Sequence, residues 1–464
     1  VRDKRLRLLL AVTILLRLIA AVAWPFEKCV RDECMYMNIA ERMVEGLGMT
    51  ASNGWLWAPG YPAILALHRF LFTHVGAAQV TQAFISGAAA ILLYRIGQRV
   101  FEDPGRDRPA LIAAWLFALS PTLAFFSASL WSEVFYAFFL LLAIRRALLT
   151  SEALDTVADR PGLGLSLPWF RHVLLGGFLL GCCVLLRGVA TYMLPVFSLG
   201  LLWRRFRLPR AWVAAALLFG TAALTVAPYS LYISKKFDAF IITDRTLGQM
   251  MWLGDNDFPP ITFDWGNGPL TEVAYDAHTA EGRPHCAVKR TPIERDDCET
   301  AAGKQWILDH PREFLARVPL RLAQTFNPHS FLTRHLRQGR WPGIPGPTRE
   351  ILSLLVVAFS FVTVLGGAIG VSLRRGGMYR VIVVLTIGYH LAAFAALAGL
   401  SRYRVPLDMV WMPFAGAFLA SPRLAFQELR ASPARAAGAI LLVLLLLGLM
   451  LWFLPNGFPW WQSW

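Results

Sequence analysis

The chain has 464 residues, of which 56% are hydrophobic and only 16% charged, and its mean hydropathy is +0.49. Soluble domains carry about 25% charged residues, so this composition argues against a soluble enzyme and for an integral membrane protein. The net charge of +15 does not argue for a nucleic-acid partner: the basic residues sit in turns between apolar runs, and no nucleic-acid module is visible.

A membrane helix needs about 20 mostly apolar residues. Such runs lie near 6–26, 77–94, 109–130, 132–150, 172–187, 189–203, 211–233, 350–373, 379–400, 404–421 and 436–455. They predict an all-α membrane protein with about eleven transmembrane helices. The first run reads as a span and not as a cleaved signal, because Arg17 interrupts it and no small-residue cleavage site follows. The stretch "GYPAILALHRFLFTH" (Gly60 to His74) is apolar but short, and reads as a re-entrant or interfacial helix.

Lys and Arg set the orientation. "VRDKRLR", "RIGQRVFEDPGRDR" and "RRFRLPR" carry four each, and the 145–171 connection carries Arg145, Arg146, Arg160 and Arg171. "RRGGMYR" and the 422–435 loop carry three each. The short turns on the other side hold only Arg187, Arg402 and Arg404. The basic side is therefore cytoplasmic, and the loops 27–60 and 234–349 lie outside. The tail "PNGFPWWQSW" is placed outside too, its tryptophans suiting an interface. Three units follow: 1–233, with a first outer loop at 27–76; the large extracytoplasmic loop 234–349; and the C-terminal spans 350–464. Within the large loop, "TAAGKQWILDHPREFLARVPLRLAQTF" reads as helix.

Cys182 and Cys183 fall inside a span, where they read as buried apolar residues. Cys29, Cys34, Cys286 and Cys298 are outside, where disulfides form. Four cysteines allow three pairings, which the sequence does not separate. We expect Cys286–Cys298 within one loop, with Cys29–Cys34 clamping the "VRDE" turn. Zinc is the alternative, but CxxC spacings are absent. His278 and His285 lack paired ligand spacing, and His310 reads as a helix-start residue, so no metal site is assigned.

The chemistry centres on "EKCVRDECMYMNIAERM" (Glu27 to Met43). Tyr36, Ile39, Ala40, Met43, Val44 and Leu47 recur at helical period, which suggests a short amphipathic helix on the outer surface. Taken alone, Asp32 is adequately explained as an N-cap with Glu33 in the first turn. Its neighbours favour more. Glu133 in "SLWSEVFY", Arg187 in "LLRGVATY" and Arg402 and Arg404 in "LSRYRVP" all lie at outer ends of spans. Ionisable groups there are costly and often functional. Each alone has a plain explanation as a snorkelling side chain or ion pair. Together, beside two carboxylates, they suit a cavity for an anion, and the guanidinium fork suits phosphate. "GDND" (Gly254 to Asp257) precedes two prolines and reads as a turn. Arg312, Arg317 and Arg321 read as the basic side of an interfacial helix, with a wall of a lipid groove as the functional alternative.

"RDECMYMNIAERMVEGLGMT" followed by "WAPGYPAILAL" resembles the first outer loop of GT-C membrane glycosyltransferases, which include protein O-mannosyltransferases and aminoarabinose-type lipid A transferases. "SLWSEVFYAFFLLL", "LGQMMWLGDNDFPPITFDWGNG", "DHPREFLARVPLRLAQTFNP" and "RYRVPLDMVWMP" match further motifs in order, over nearly the whole chain. Asp255 departs from the asparagine frequent in relatives. The resemblance implies an inverting transferase that takes a sugar from a polyprenyl-phosphate donor and passes it to a lipid, glycan or protein acceptor. It places the enzyme in a bacterial inner membrane, with the site on the extracytoplasmic face. It implies Asp32 as the base, supported by Glu33, with Arg31, Arg187, Arg402 and Arg404 on the donor phosphate. Tyr36, Glu133, Asp255, Asn256 and Tyr403 are expected in the substrate pocket. The resemblance makes no cofactor certain and leaves a divalent metal open, though ligand spacing gives it no support. The competing class is a transporter or lipid flippase, which usually shows internal repeats and midplane charges. Here the midplane charge is chiefly Arg17. A receptor or scaffold would not need Asp32 and Glu33 beside the arginines.

Overall fold

The computed structural model describes residues 3–23, 29, 32–52, 56–72, 76–101, 107–156, 168–256, 286, 289, 291–337, 343–373 and 376–454. The Arg31, His278, His285 and C-terminal-tail expectations lie outside these residues. All regular structure among the described residues is helical. The first half holds α1 (Lys4–Ala23), α2 (Asp32–Val44), α3 (Gly60–Phe72), α4 (Gly76–Val100), α5 (Asp107–Leu119), α6 (Pro121–Ala128), α7 (Glu133–Asp155) and α8 (Pro168–Leu186). A 3₁₀ turn (Gly188–Tyr192) leads to α9 (Met193–Leu202), α10 (Pro209–Phe237) and α11 (Leu247–Gly254). Then follow α12 (Pro292–Asp309), α13 (Pro311–Phe326), α14 (Phe331–Arg337), α15 (Gly346–Val371), α16 (Gly377–Ala396), α17 (Ser401–Ala420), α18 (Pro422–Arg430) and α19 (Pro433–Trp452).

Among the described residues, eight helices are long and apolar enough to cross a membrane, and nine if the bent pair α5–α6 is one span. Two of the eleven expected runs are not among these. The 189–203 run is broken by the 3₁₀ turn, leaving α9 with ten residues. The 404–421 run is α17, 20 residues long but carrying Arg402, Arg404 and Asp408, which lower its hydropathy. The helical stretch 300–326 is two helices, divided at the helix start read at His310 and Pro311. His310 ends one and Pro311 starts the next, because proline tolerates the first turn and little beyond it.

The bundle is a relay of helix pairs: α1 against α4, α4 against α5, α5 against α17 and α17 against α15, with α7, α8 and α10 packed in series beside them. Of the spans, α7 is buried most and α1 and α19 least. The α8–α10 contact depends on Gly177 and Gly181, one turn apart. A Cβ at either would sit 2.5 Å from α10, on Leu218 O or Thr225 Cβ. Small residues at this spacing let membrane helices approach closely.

The α5–α6 break of 53° explains Arg17. In a continuous helix Phe117 O would accept from residue 121, but Pro121 has no N–H. Ser120 N–H reaches Phe117 O only at 3.4 Å. The buried Arg17 on α1 supplies the missing donors, reaching Phe117 O at 2.7 Å and also Ala118 O. The midplane arginine is thus a helix-end partner and marks no transport path. Arg17→Lys keeps the charge but loses the fork that spans two carbonyls. It should cost about 1–3 kcal/mol, the penalty for a buried acceptor left unmet. A thermal unfolding midpoint in detergent equal to that of the parent protein would refute this role.

Candidate active site

Three helix ends meet at the head of α7: the start of α2, the start of α7 and the start of α17, with the turn after α8 beside them. Asp32 and Glu33 open α2, whose buried side carries Tyr36, Ile39 and Ala40. The predicted apolar stripe holds to this point, while Val44 and Leu47 are exposed. Tyr36 packs edge-on against Trp57 and Tyr61, at 5.5 and 5.2 Å between ring centroids. Cys29 is bonded to Cys34 across the start of α2, and Cys286 to Cys298 at α12.

Glu133, the first residue of α7, is fully buried. Its Oε1 accepts from Arg187 at 2.7 Å and from Arg402 Nε. Arg402 also donates to Asp32 Oδ2, and its guanidinium lies 4.3 Å from the Trp131 ring centroid. Asp32 keeps 28% of its side chain exposed, against 8% for Arg402. Two carboxylates and two guanidiniums therefore form one balanced cluster, with Asp32 its most accessible member. Balance matters because an unpaired ion in such surroundings costs several kcal/mol, roughly.

Asp32, Tyr36, Arg187, Arg402 and Tyr403 line a cavity of ≈ 1050 Å³. This is the upper end of the range for small-molecule sites. Other expected residues do not line it. Glu33 is 1% exposed and turns inward, accepting from Leu130 N at 3.0 Å, so it fixes α2 against the turn before α7. Glu133 stands behind the arginines. Arg404, two positions along α17 from Arg402, points away from the cavity. It bonds Asp408, Asn327 O at 3.2 Å and Ser360 Oγ at 3.0 Å, and so ties the turn between α13 and α14 to α15. Asp255 and Asn256 are buried beside the cavity and do not face it. Asp255 pairs with Arg321 at 2.6 Å, and burial still pushes its carboxyl up to about 6.

The cavity has further polar residues that sequence reading did not assign: Gln324 from α13, and Arg334 and His335 from α14. Arg321 from α13 also lines it; it was read as the basic side of an interfacial helix, with a groove wall as the alternative. It is 4% exposed and donates inward to Gly254 O and Ala395 O, at 2.7 and 2.8 Å. The interfacial reading holds better for Arg312, which is exposed. Asp244, in the loop before α11, also faces the cavity. Burial pushes its carboxyl up to about 6, although the Gly188 amide favours the ionised form.

No family model matches the chain, and no curated protein matches it by sequence. The structure is similar to the oligosaccharyltransferase of Archaeoglobus fulgidus in its apo form, with a TM-score of 0.50 at 14% identity, over 97% of this chain and 56% of that chain. The fold is that of the GT-C membrane transferases. The chain thus spans about half the length of the archaeal protein. The same archaeal enzyme tethered to an acceptor peptide gives TM-score 0.50 at 14% identity, over 97% and 55% of the two chains. ArnT from Cupriavidus metallidurans, solved bound to undecaprenyl phosphate, gives 0.44 at 13% identity, over 92% and 79%.

In this GT-C fold, Glu133 and Arg404 have separable roles that mutation can resolve. Glu133→Gln leaves two buried guanidiniums without their shared carboxylate, and should cost about 3–5 kcal/mol of stability. Arg404→Lys should lower stability by about 1–3 kcal/mol through lost bonds to Asn327 and Ser360. It should leave any binding of inorganic phosphate in the cavity unchanged. Weakened phosphate binding at unchanged thermal midpoint would return Arg404 to the cavity.

Proposed function

We propose that the protein is an inverting glycosyltransferase of the extracytoplasmic membrane face, moving a sugar from a polyprenyl-phosphate donor to an acceptor hydroxyl. The observation that carries the reading is the Asp32–Arg402–Glu133–Arg187 cluster on the wall of a large cavity. It joins the sequence resemblance to a base and phosphate ligands held in contact.

The reaction balances on these groups. The acceptor oxygen attacks the anomeric carbon as the bond from that carbon to the phosphate oxygen breaks, through an oxocarbenium-like centre. The acceptor proton passes to Asp32. The donor phosphodiester, with one negative charge, leaves as a phosphomonoester with two. Asp32 loses one charge in the same step, so the total charge in the cavity is conserved. Arg402 is released from Asp32 as that carboxylate is protonated, at the moment when the leaving phosphate needs a fork partner. Arg187, held by the same Glu133, supplies the second cation. Glu133 holds the arginines and does not take part in the proton transfer. The acceptor, whether lipid, glycan or protein, enters the same cavity.

Asp32→Asn separates the base from a capping residue, because Asn and Asp rank together at helix N-termini. Turnover with undecaprenyl-phosphate sugars should fall about 10²–10⁴-fold. Donor binding should persist or tighten, since Arg402 loses its internal competitor. Sugar transfer by the variant at the parent rate would falsify the assignment of Asp32.

A further inference from the structure

Three carboxylates line the cavity: Asp32, Asp244 and Asp296. Asp32 is paired with Arg402, and Asp296 lies 3.6 Å from Arg245. Asp244 makes no ion pair among the described residues. It is half-buried and held from behind, its Oδ2 accepting from Gly188 N at 3.2 Å. The fit is close: a Cβ on Gly188 would lie 2.4 Å from Oδ2. Among the described residues the chain therefore fixes a carboxylate on the cavity wall without an ion-pair contact, although the charge of Arg187 acts on it from farther off.

A charge so placed opposes phosphate binding, so its retention calls for a ligand group of another kind. The groups that favour a fixed, unpaired carboxylate are hydrogen-bond donors without negative charge. On the reading proposed above, the cavity receives two sources of such donors: the hydroxyls of the transferred sugar and the hydroxyl of the acceptor. We infer that Asp244 is a substrate-specificity residue, accepting a hydrogen bond from a ligand hydroxyl while the Gly188 amide holds its carboxylate in place. The inference rests on the glycosyltransferase reading but not on Asp32 being the base.

The test uses the full chain in detergent or nanodiscs. Its probes are bare undecaprenyl phosphate, a panel of undecaprenyl-phosphate hexoses and pentoses, and octyl glycosides as hydroxyl acceptors. Asp244→Asn keeps an oxygen for Gly188 N–H, so it should fold, as its thermal midpoint will show. A lost charge-assisted hydrogen bond corresponds to about 10–100-fold. If the sugar is the partner, sugar-bearing lipids lose this factor in affinity while bare undecaprenyl phosphate binds as before. If the acceptor is the partner, both lipids bind as before and KM for the octyl glycoside rises by this factor with kcat nearly kept. Gly188→Ala, which displaces the carboxylate without removing it, should reproduce whichever pattern appears. Unchanged binding and KM in Asp244→Asn overturn the inference. So does an equal loss for bare and sugar-bearing lipid, which would mean that Asp244 acts only through the Arg187 corner. Failure of the parent protein to bind any sugar-bearing lipid sinks the glycosyltransferase reading itself.

Discussion

A single buried carboxylate organises this molecule. Glu133 receives Arg187 from 54 residues away and Arg402 from 269 residues away, and through Arg402 it reaches Asp32 on the first outer helix. None of these ions would be tolerated alone at that depth. Each is tolerated because the other three are present, which makes the meeting of four chain segments an electrostatic requirement. The cavity exists where they meet. Its arginines come already oriented, so an anion entering the cavity would not bear the ordering cost of flexible side chains. The same pairing restrains the site, because Arg402 cannot serve a ligand fully while Asp32 holds it.

Much of the fold was legible because bilayer physics is one-dimensional: apolar length gives a span, and Lys and Arg give its direction. Pro209, Pro292, Pro311 and Pro433 each open a helix, as the missing N–H leads one to expect. The two runs that differ from a plain span share a cause. The 189–203 run is apolar throughout, and nothing in its hydropathy signals a 3₁₀ turn. Over 404–421, composition alone does not separate a polar buried helix from a lipid-facing one.

At the site, Asp32, Arg187 and Arg402 were legible because ions are scarce on that side of the chain. Their partners were not. Arg402 and Arg404 are two residues apart, about 200° around a helix, so only one can face the cavity, and the sequence does not say which. Glu33 and Asp32 differ in the same way, at about 100°. Asp244 carries no motif. It stands in a loop, and its significance comes from what lies beside it in space: the Gly188 amide and the wall of the cavity. The sequence left Arg321 between an interfacial face and a groove wall because α13 has basic residues on more than one side, and only packing against Gly254 and Ala395 selects the one that turns inward.

The Arg17 contact bears on how the chain is made. Its acceptors, Phe117 and Ala118, follow it by 100 and 101 residues. At about 5–20 residues per second, they emerge on the order of 5–20 s after α1. During that interval α1 carries a lone guanidinium, a burden of about 2.5–3.5 kcal/mol at a helix centre by insertion measurements. The other apolar residues of the first helix carry that cost until the break between α5 and α6 supplies the arginine with its acceptors. An ending that looks like a flaw in one helix is the anchor of another.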